Sequence, residues 1–210
     1  MLNENERARV RAAVEKAEAG LAAEIVPCVY EQSSPYPETV WAGGAAAVAV
    51  ACGVLFLSDM IRPIWLPLST LILFVPAAGL AGAALGHWCG PVKRLLLGPH
   101  RMEDAVARRA KEVFFDRGIA RTKSRAGVLI FASLLERRVV VLADEAVRAK
   151  IEPAAWEPAI AAMTAAAGDG READGLVAAV EKTAEALRSA GLTGRSGGEL
   201  GDDAIEGGAA

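Results

Sequence analysis

The residues best placed to do chemistry are carboxylates. Asp144 and Glu145 close the apolar run RVVVLAD and open what reads as a helix. Carboxylates at a strand end suit cation binding or activation of a water. The same placement suits an N-cap, with the second charge favourable on the helix dipole, and the cap is the better fit. Glu24, beside the first β-rich segment, would join Asp144 in one cleft if their strands align. Glu136, with Arg137 and Arg138, makes a charged trio between two apolar runs that could bind an anion, but an exposed hairpin turn is the better account of the charges. Glu136, like Glu24, is a candidate partner of Asp144 in metal-assisted hydrolysis. Asp169, Glu172 and Asp174 flank Gly168 and Gly170 without the ligand order of an EF-hand, so a calcium loop there would be loose. Asp144 with Glu145 is the pair to weigh as metal ligands. No cofactor motif is present. Ser133 and Cys28 have no histidine base in view, His87 and His100 being the two histidines, which argues against nucleophilic catalysis. Cys28, Cys52 and Cys89 show neither zinc spacing nor an even count, and read as small buried hydrophobes.

Two long apolar runs dominate what must position these groups. Residues 39–58 carry no charge between Glu38 and Asp59, and none occurs between Arg62 and Lys93. A helix needs about 20 apolar residues to cross a bilayer, so spans are expected at about 39–58 and 64–88. Trp41, Trp65 and Trp88 stand near the ends, where indole favours the interface. The linker Asp59 to Arg62 is short enough to make the pair a hairpin. Lys93, Arg94, Arg101, Arg108 and Arg109 follow the second run, and Arg7, Arg9, Arg11 and Lys16 precede the first. That bias puts both termini in the cytoplasm of a bacterial-type inner (plasma) membrane. Gly43, Gly44, Gly79 and Gly82 would permit close helix contact, within the hairpin or between copies, which makes a homo-oligomer an expectation.

Outside the membrane, Val10, Val14, Ala17 and Leu21 repeat at helical spacing. AEIVPCVY (Ala23 to Tyr30) reads as a strand, with Pro27 predicting an edge or a bulge. Met102, Val106, Ala110, Val113 and Phe114 mark a second amphipathic helix. GVLIFASLL is too short to span a bilayer and, with RVVVLAD behind it, reads as two antiparallel strands joined through LERR. Helices follow from Glu145 to about Ala167, interrupted near Pro153, and from Glu172 to Ser189. The chain divides into a first domain part (1–37), the hairpin (38–92), a second domain part (93–190) and an acidic Gly-rich tail (191–210) expected to be disordered. The expected class is α/β: a small mixed sheet between helices in an α/β/α sandwich, with the hairpin inserted. At a formal net charge of -3 and with no basic stripe, nucleic acid is not an expected partner.

The segments AEIVPCVY, AVARRAKEVFFDRGIARTKSRAGVLIFASLLERRVVVLAD (Ala105 to Asp144) and GREADGLVAAVEKTAEAL (Gly170 to Leu187) together resemble the TPM domain family, most specifically where FFDRGI leads into GVLI. The resemblance implies the same sandwich around a mixed sheet. It also implies either a calcium-dependent acid phosphatase or an assembly or accessory factor with a protein partner. Where the family commonly turns on a G-x-G after the second strand of the pair, this chain has Ala143 to Arg148. Close backbone approach to a ligand favours glycine, so the departure weighs toward a membrane-anchored binding or assembly module and leaves a phosphatase as the alternative.

Overall fold

The computed structural model describes residues 2–61, 67–194 and 200–207. The chain separates into two compact units, Met1–Ser34 with Glu103–Ala210, and Pro35–Met102.

The first unit is an α/β sandwich. Helix α1 (Glu4–Glu18) starts in a capping box between Asn3 and Glu6 and buries Val10, Val14 and Ala17. Strand β1 (Glu24–Tyr30) follows and is buried along its whole length. The crossover to the next strand carries α2 (Glu38–Ile61), α3 (Leu68–Trp88), α4 (Gly90–Leu97) and α5 (Pro99–Asp116). Strand β2 (Gly127–Ser133), wholly buried, pairs parallel with β1, and β3 (Arg138–Ala143) pairs antiparallel with β2 through the hairpin at Leu134 to Arg137. A short α6 (Glu145–Arg148), α7 (Glu157–Gly168) and α8 (Glu172–Ser189) come next, with a single turn of 3-10 helix at Pro153–Trp156 between the first two. Strand β4 (Ile205–Gly207) completes a mixed sheet in the order β3-β2-β1-β4.

Alternation in the strands sends Ile25, Val29, Val128, Ile130 and Ala132 to one face, against Val10 and Val14 of α1, Met163 of α7 and Leu176, Val180 and Leu187 of α8. Val26, Cys28, Leu129 and Phe131 go to the other, against Val106, Ala110, Val113 and Phe114 of α5. The α/β/α expectation is therefore met.

One expectation needs refinement and another correction. Pro27 lies in a strand flanked by β2 and, from Cys28 on, by β4, so the edge expected for it is a local one. The N–H of Glu24 donates to Ala126 O and that of Glu31 to Gly207 O, so odd positions of β1 face β4. The first residue of β1 paired with β4 is Cys28, and proline's missing N–H falls where no neighbour requires it. The tail expected to be disordered supplies β4. Pairing of Cys28–Tyr30 with Ile205–Gly207 satisfies a strand side that would otherwise be open. Arg7 pairs with Glu206 at 2.8 Å, and Arg11 with Asp203. Leu21 bridges to Thr193. The rest of the tail prediction, residues 195–199 and 208–210, lies outside the described residues.

The second unit is built on α2 and α3, both long and apolar enough to cross a membrane and both largely unburied along their apolar length. Trp41 and Trp88 are 81% and 79% exposed, and Val54, Phe56, Leu57, Ile72, Leu73 and Leu80 also point outward. The two helices meet through small residues. A Cβ on Gly43 would overlap the carbonyl of Gly82, one on Gly82 would overlap Gly43 O and Ala47, and one on Gly86 would overlap Thr39 O. The Thr39 hydroxyl lies 2.8 Å from both Tyr36 O and Gly86 O. The glycines thus permit backbone contact inside the hairpin. The expected start of the second span, 64–66, and Trp65 lie outside the described residues.

Candidate functional site

Register decides which carboxylates can meet. Glu24 pairs with Gly127 across β1 and β2, and the Asp144 N–H donates to Gly127 O at 2.9 Å. Glu24, Gly127 and Asp144 therefore form a row across one end of the sheet, on the α5 face. Two strand spacings put the outer backbones roughly 10 Å apart. Between them sits Ile119, in the 3-10 turn Ile119–Arg121, whose Cγ2 and O would lie 2.6 Å from a Cβ on Gly127. Glycine is needed there because Ile119 packs directly onto the strand.

Each candidate carboxylate already has a donor. Asp144, 4% exposed, caps α6: Oδ1 accepts the Glu145 N–H at 2.8 Å. Its Oδ2 lies 3.0 Å from Arg125 Nε, close enough for charge pairing. The alignment is not that of a hydrogen bond, and this buried oxygen accepts none. Exposed Glu145 shares Arg125 at 3.4 Å. Buried Glu24 accepts the N–H of Leu200 at 2.8 Å.

Glu136 departs from the expected exposed turn: it is 4% exposed. Its carboxylate accepts the Ser33 N–H at 2.9 Å and the Ser133 hydroxyl, and the Ser33 hydroxyl donates to Ser133 Oγ at 2.8 Å. It ties the β2–β3 turn to the segment after β1. The length of β2 separates it from the Asp144 end by about 20 Å, so Glu136 and Asp144 cannot act on one substrate atom. Asp169 pairs with Arg171 at 2.8 Å and Asp174 with Arg9 at 2.5 Å, each carboxylate meeting a cation. Burial pushes the Cys28 thiol up to about 12, which leaves it a thiol at neutral pH.

One group escaped the reading of the sequence. Glu18, at the end of α1, accepts the N–H of Ile25 at 2.7 Å. This is the odd-side donor of β1 lying beyond the reach of β4. Burial raises its carboxyl to about 7; the Ile25 N–H opposes that shift, and Asp202 and Glu24 add to it. The available signal was position: Glu18 follows Val14 by one helical turn, on the buried stripe.

Asp144 also borders an open cavity of about 680 Å³. Phe114, Leu142, Ile151 and Trp156 give it apolar walls, and Lys111, Arg125 and Arg148 bring positive charge. Such a cleft suits a ligand with an apolar body and an anionic end.

With this geometry in view, residues 95–186 match the family model of the TPM domain. The match covers α5, β2, β3, α7 and most of α8, hence the Asp144 end of the sheet. No curated protein matches the chain. Among solved structures, the NMR structure of BA42 protein from the psychrophilic bacterium Bizionia argentinensis superposes with a TM-score of 0.57 at 16% identity. The superposition covers 99% of this chain and 96% of that one. At that identity the likeness is one of fold.

Proposed function

We propose that the chain is a membrane-anchored binding or assembly module. Helices α2 and α3 form a transmembrane hairpin in a bacterial-type inner membrane. Both termini are cytoplasmic, and the TPM-like α/β unit docks a protein partner there. The observation that carries the anchor is the outward apolar surface of α2 and α3, which water would not tolerate at this extent. Docking is favoured over catalysis because Asp144, Glu24 and Glu136 are each engaged by protein donors.

A second reading, calcium-assisted hydrolysis of phosphate esters, draws on one observation: Asp144 borders a cleft with Lys111, Arg125 and Arg148. In it Glu24, across Gly127, would serve as second carboxylate only with a shift of Ile119, which packs between the two, and exposed Glu145 would be a further ligand. Assay of the full chain in detergent with a phosphate ester, with and without calcium, separates the two. The docking reading expects no turnover above that of an empty preparation. Turnover lost in Asp144→Ala and kept in Asp169→Ala would establish the hydrolase instead. The anchor is tested by alkaline extraction of membranes, from which the chain should be released by detergent alone.

A further inference from the structure

Among the described residues, no strand lies beside the outer side of β3, the longer of the two terminal strands of the sheet. All six of its residues are half-buried. The N–H of Asp144 donates to Gly127 O and that of Ala146 to Arg125 O. Antiparallel alternation therefore turns the even positions of β3 toward β2. The N–H and C=O groups of Val139, Val141 and Ala143 face outward.

Natural edges are usually blunted by proline, inward charge or a covering element. This one presents an apolar ladder, VVVLA, with two arginines before it and two carboxylates after it. The arrangement RRVVVLADE (Arg137 to Glu145) has opposite charges at equal distances from Val141.

We propose that this edge pairs with β3 of a second copy of the chain, antiparallel about a two-fold axis at Val141, joining two sheets into one. Antiparallel pairs share a face of the sheet. A two-fold axis normal to the sheet therefore requires paired positions whose numbers differ by an even count. Centring on Val141 meets this requirement and pairs Val139 with Ala143 of the second copy. The outward groups of Val139, Val141 and Ala143 then become the hydrogen-bonded pairs of the new ladder.

The same register sets Arg138 opposite Asp144 of the second copy, one step past the strand end, and brings exposed Glu145, the first residue of α6, to the end where the second copy's exposed turn residue Arg137 lies. Moving the centre to Val140 would instead oppose Glu136 to Asp144, two carboxylates. Charge complementarity thus selects both the occupant and the register. Within one chain Arg137 and Glu145 are exposed, and Arg138 reaches Glu103 at 3.7 Å. Asp144 is buried and already paired with Arg125, so the second copy's Arg138 adds attraction across the seam and not a hydrogen bond. The contact uses no glycine of the spans, and it shares Val141, Ala143 and Asp144 with the lining of the cleft, which the second copy would border.

The test is the detergent-corrected mass of the full chain over a concentration series, by light scattering or sedimentation. The wild type should show twice the 21.8 kDa chain mass. Arg137→Glu puts like charges across both ends of the ladder and should weaken the dimer roughly tenfold or more. Adding Glu145→Arg should restore it. Val141→Pro removes an outward N–H that β2 does not use, and should give a monomer with an unchanged far-UV spectrum. A monomeric wild type at every concentration would overturn the proposal. So would a dimer indifferent to both Arg137→Glu and Val141→Pro, which would place self-association elsewhere. Failure of the double charge exchange to restore the dimer would overturn the register.

Discussion

Glu18 illustrates how a backbone donor can set the chemistry of a side chain. Ile25 sits on the side of β1 where β4 has not yet begun, and its N–H needs an acceptor. The Glu18 carboxylate supplies one, at the cost of partial burial beside Glu24 and Asp202. Its carboxyl titrates near 4.5 when unfolded and near 7 when folded. Between those values the folded chain holds a proton that the unfolded chain has released, so stability falls as pH rises through the window and stays lower above it. Glu18→Gln keeps the acceptor and removes the charge. The difference in denaturation midpoint between variant and wild type should be near zero at pH 4.5. It should grow in the variant's favour up to pH 7 and then level off. Urea titrations of the full chain in detergent from pH 4.5 to 8 measure it, and a pH-independent difference would remove Glu18 as the titrating group.

At the level of elements, the glycines of α2 and α3 act by absence of bulk. Gly82 faces the Gly43 backbone, while Gly53 has open space around the position of its Cβ. Gly82→Leu should force the helices apart and cost about 1–3 kcal/mol, the usual range for overpacking. Gly53→Leu should be nearly neutral. Thermal unfolding of the helical circular-dichroism signal in one detergent compares them directly, and equal midpoints would show that the close packing is not what holds the pair.

These elements also mark what could be read before the structure. The stripe Val10, Val14, Ala17 and the runs VLIFA and VVVLA announce their own burial, because helix and strand periods are local properties. The role of Glu136 was hidden. Charges beside a tight turn look solvated unless Ser33, distant in the chain, is known to lie against them. Asp144 read correctly as a cap, since capping is settled within one helical turn. Its separation from Glu24 by Ile119 was not legible, for it depends on the packing of a 3-10 turn onto Gly127.

For the molecule as a whole, the same requirement governs both sides of the sheet: open strand groups must find partners or be protected. On one side the chain solves this itself. Ile205–Gly207 pair with β1, Leu200 donates to Glu24, and Arg7 and Arg11 hold the acidic stretch in place. A composition rich in glycine and acid gave no sign of a strand, because the driving force lies in the edge it covers and not in the segment. Gly207 fits where the Tyr30 ring would collide with any Cβ. Deleting residues 200–210 should therefore do more than remove a tail. It leaves odd-side donors of β1 unpaired, at about 0.5–1.5 kcal/mol for each hydrogen bond lost. It also bares Glu24 and replaces the three-residue edge of β4 with the seven-residue edge of β1. The shortened chain should unfold at lower urea concentration and, with the long edge of β1 bared as well as that of β3, should run on to species larger than a dimer as its concentration rises. Sedimentation and urea titration of the shortened and full chains in the same detergent test both consequences. Unchanged stability and unchanged mass would mean that β4 is a passive covering and that β1 tolerates its open side.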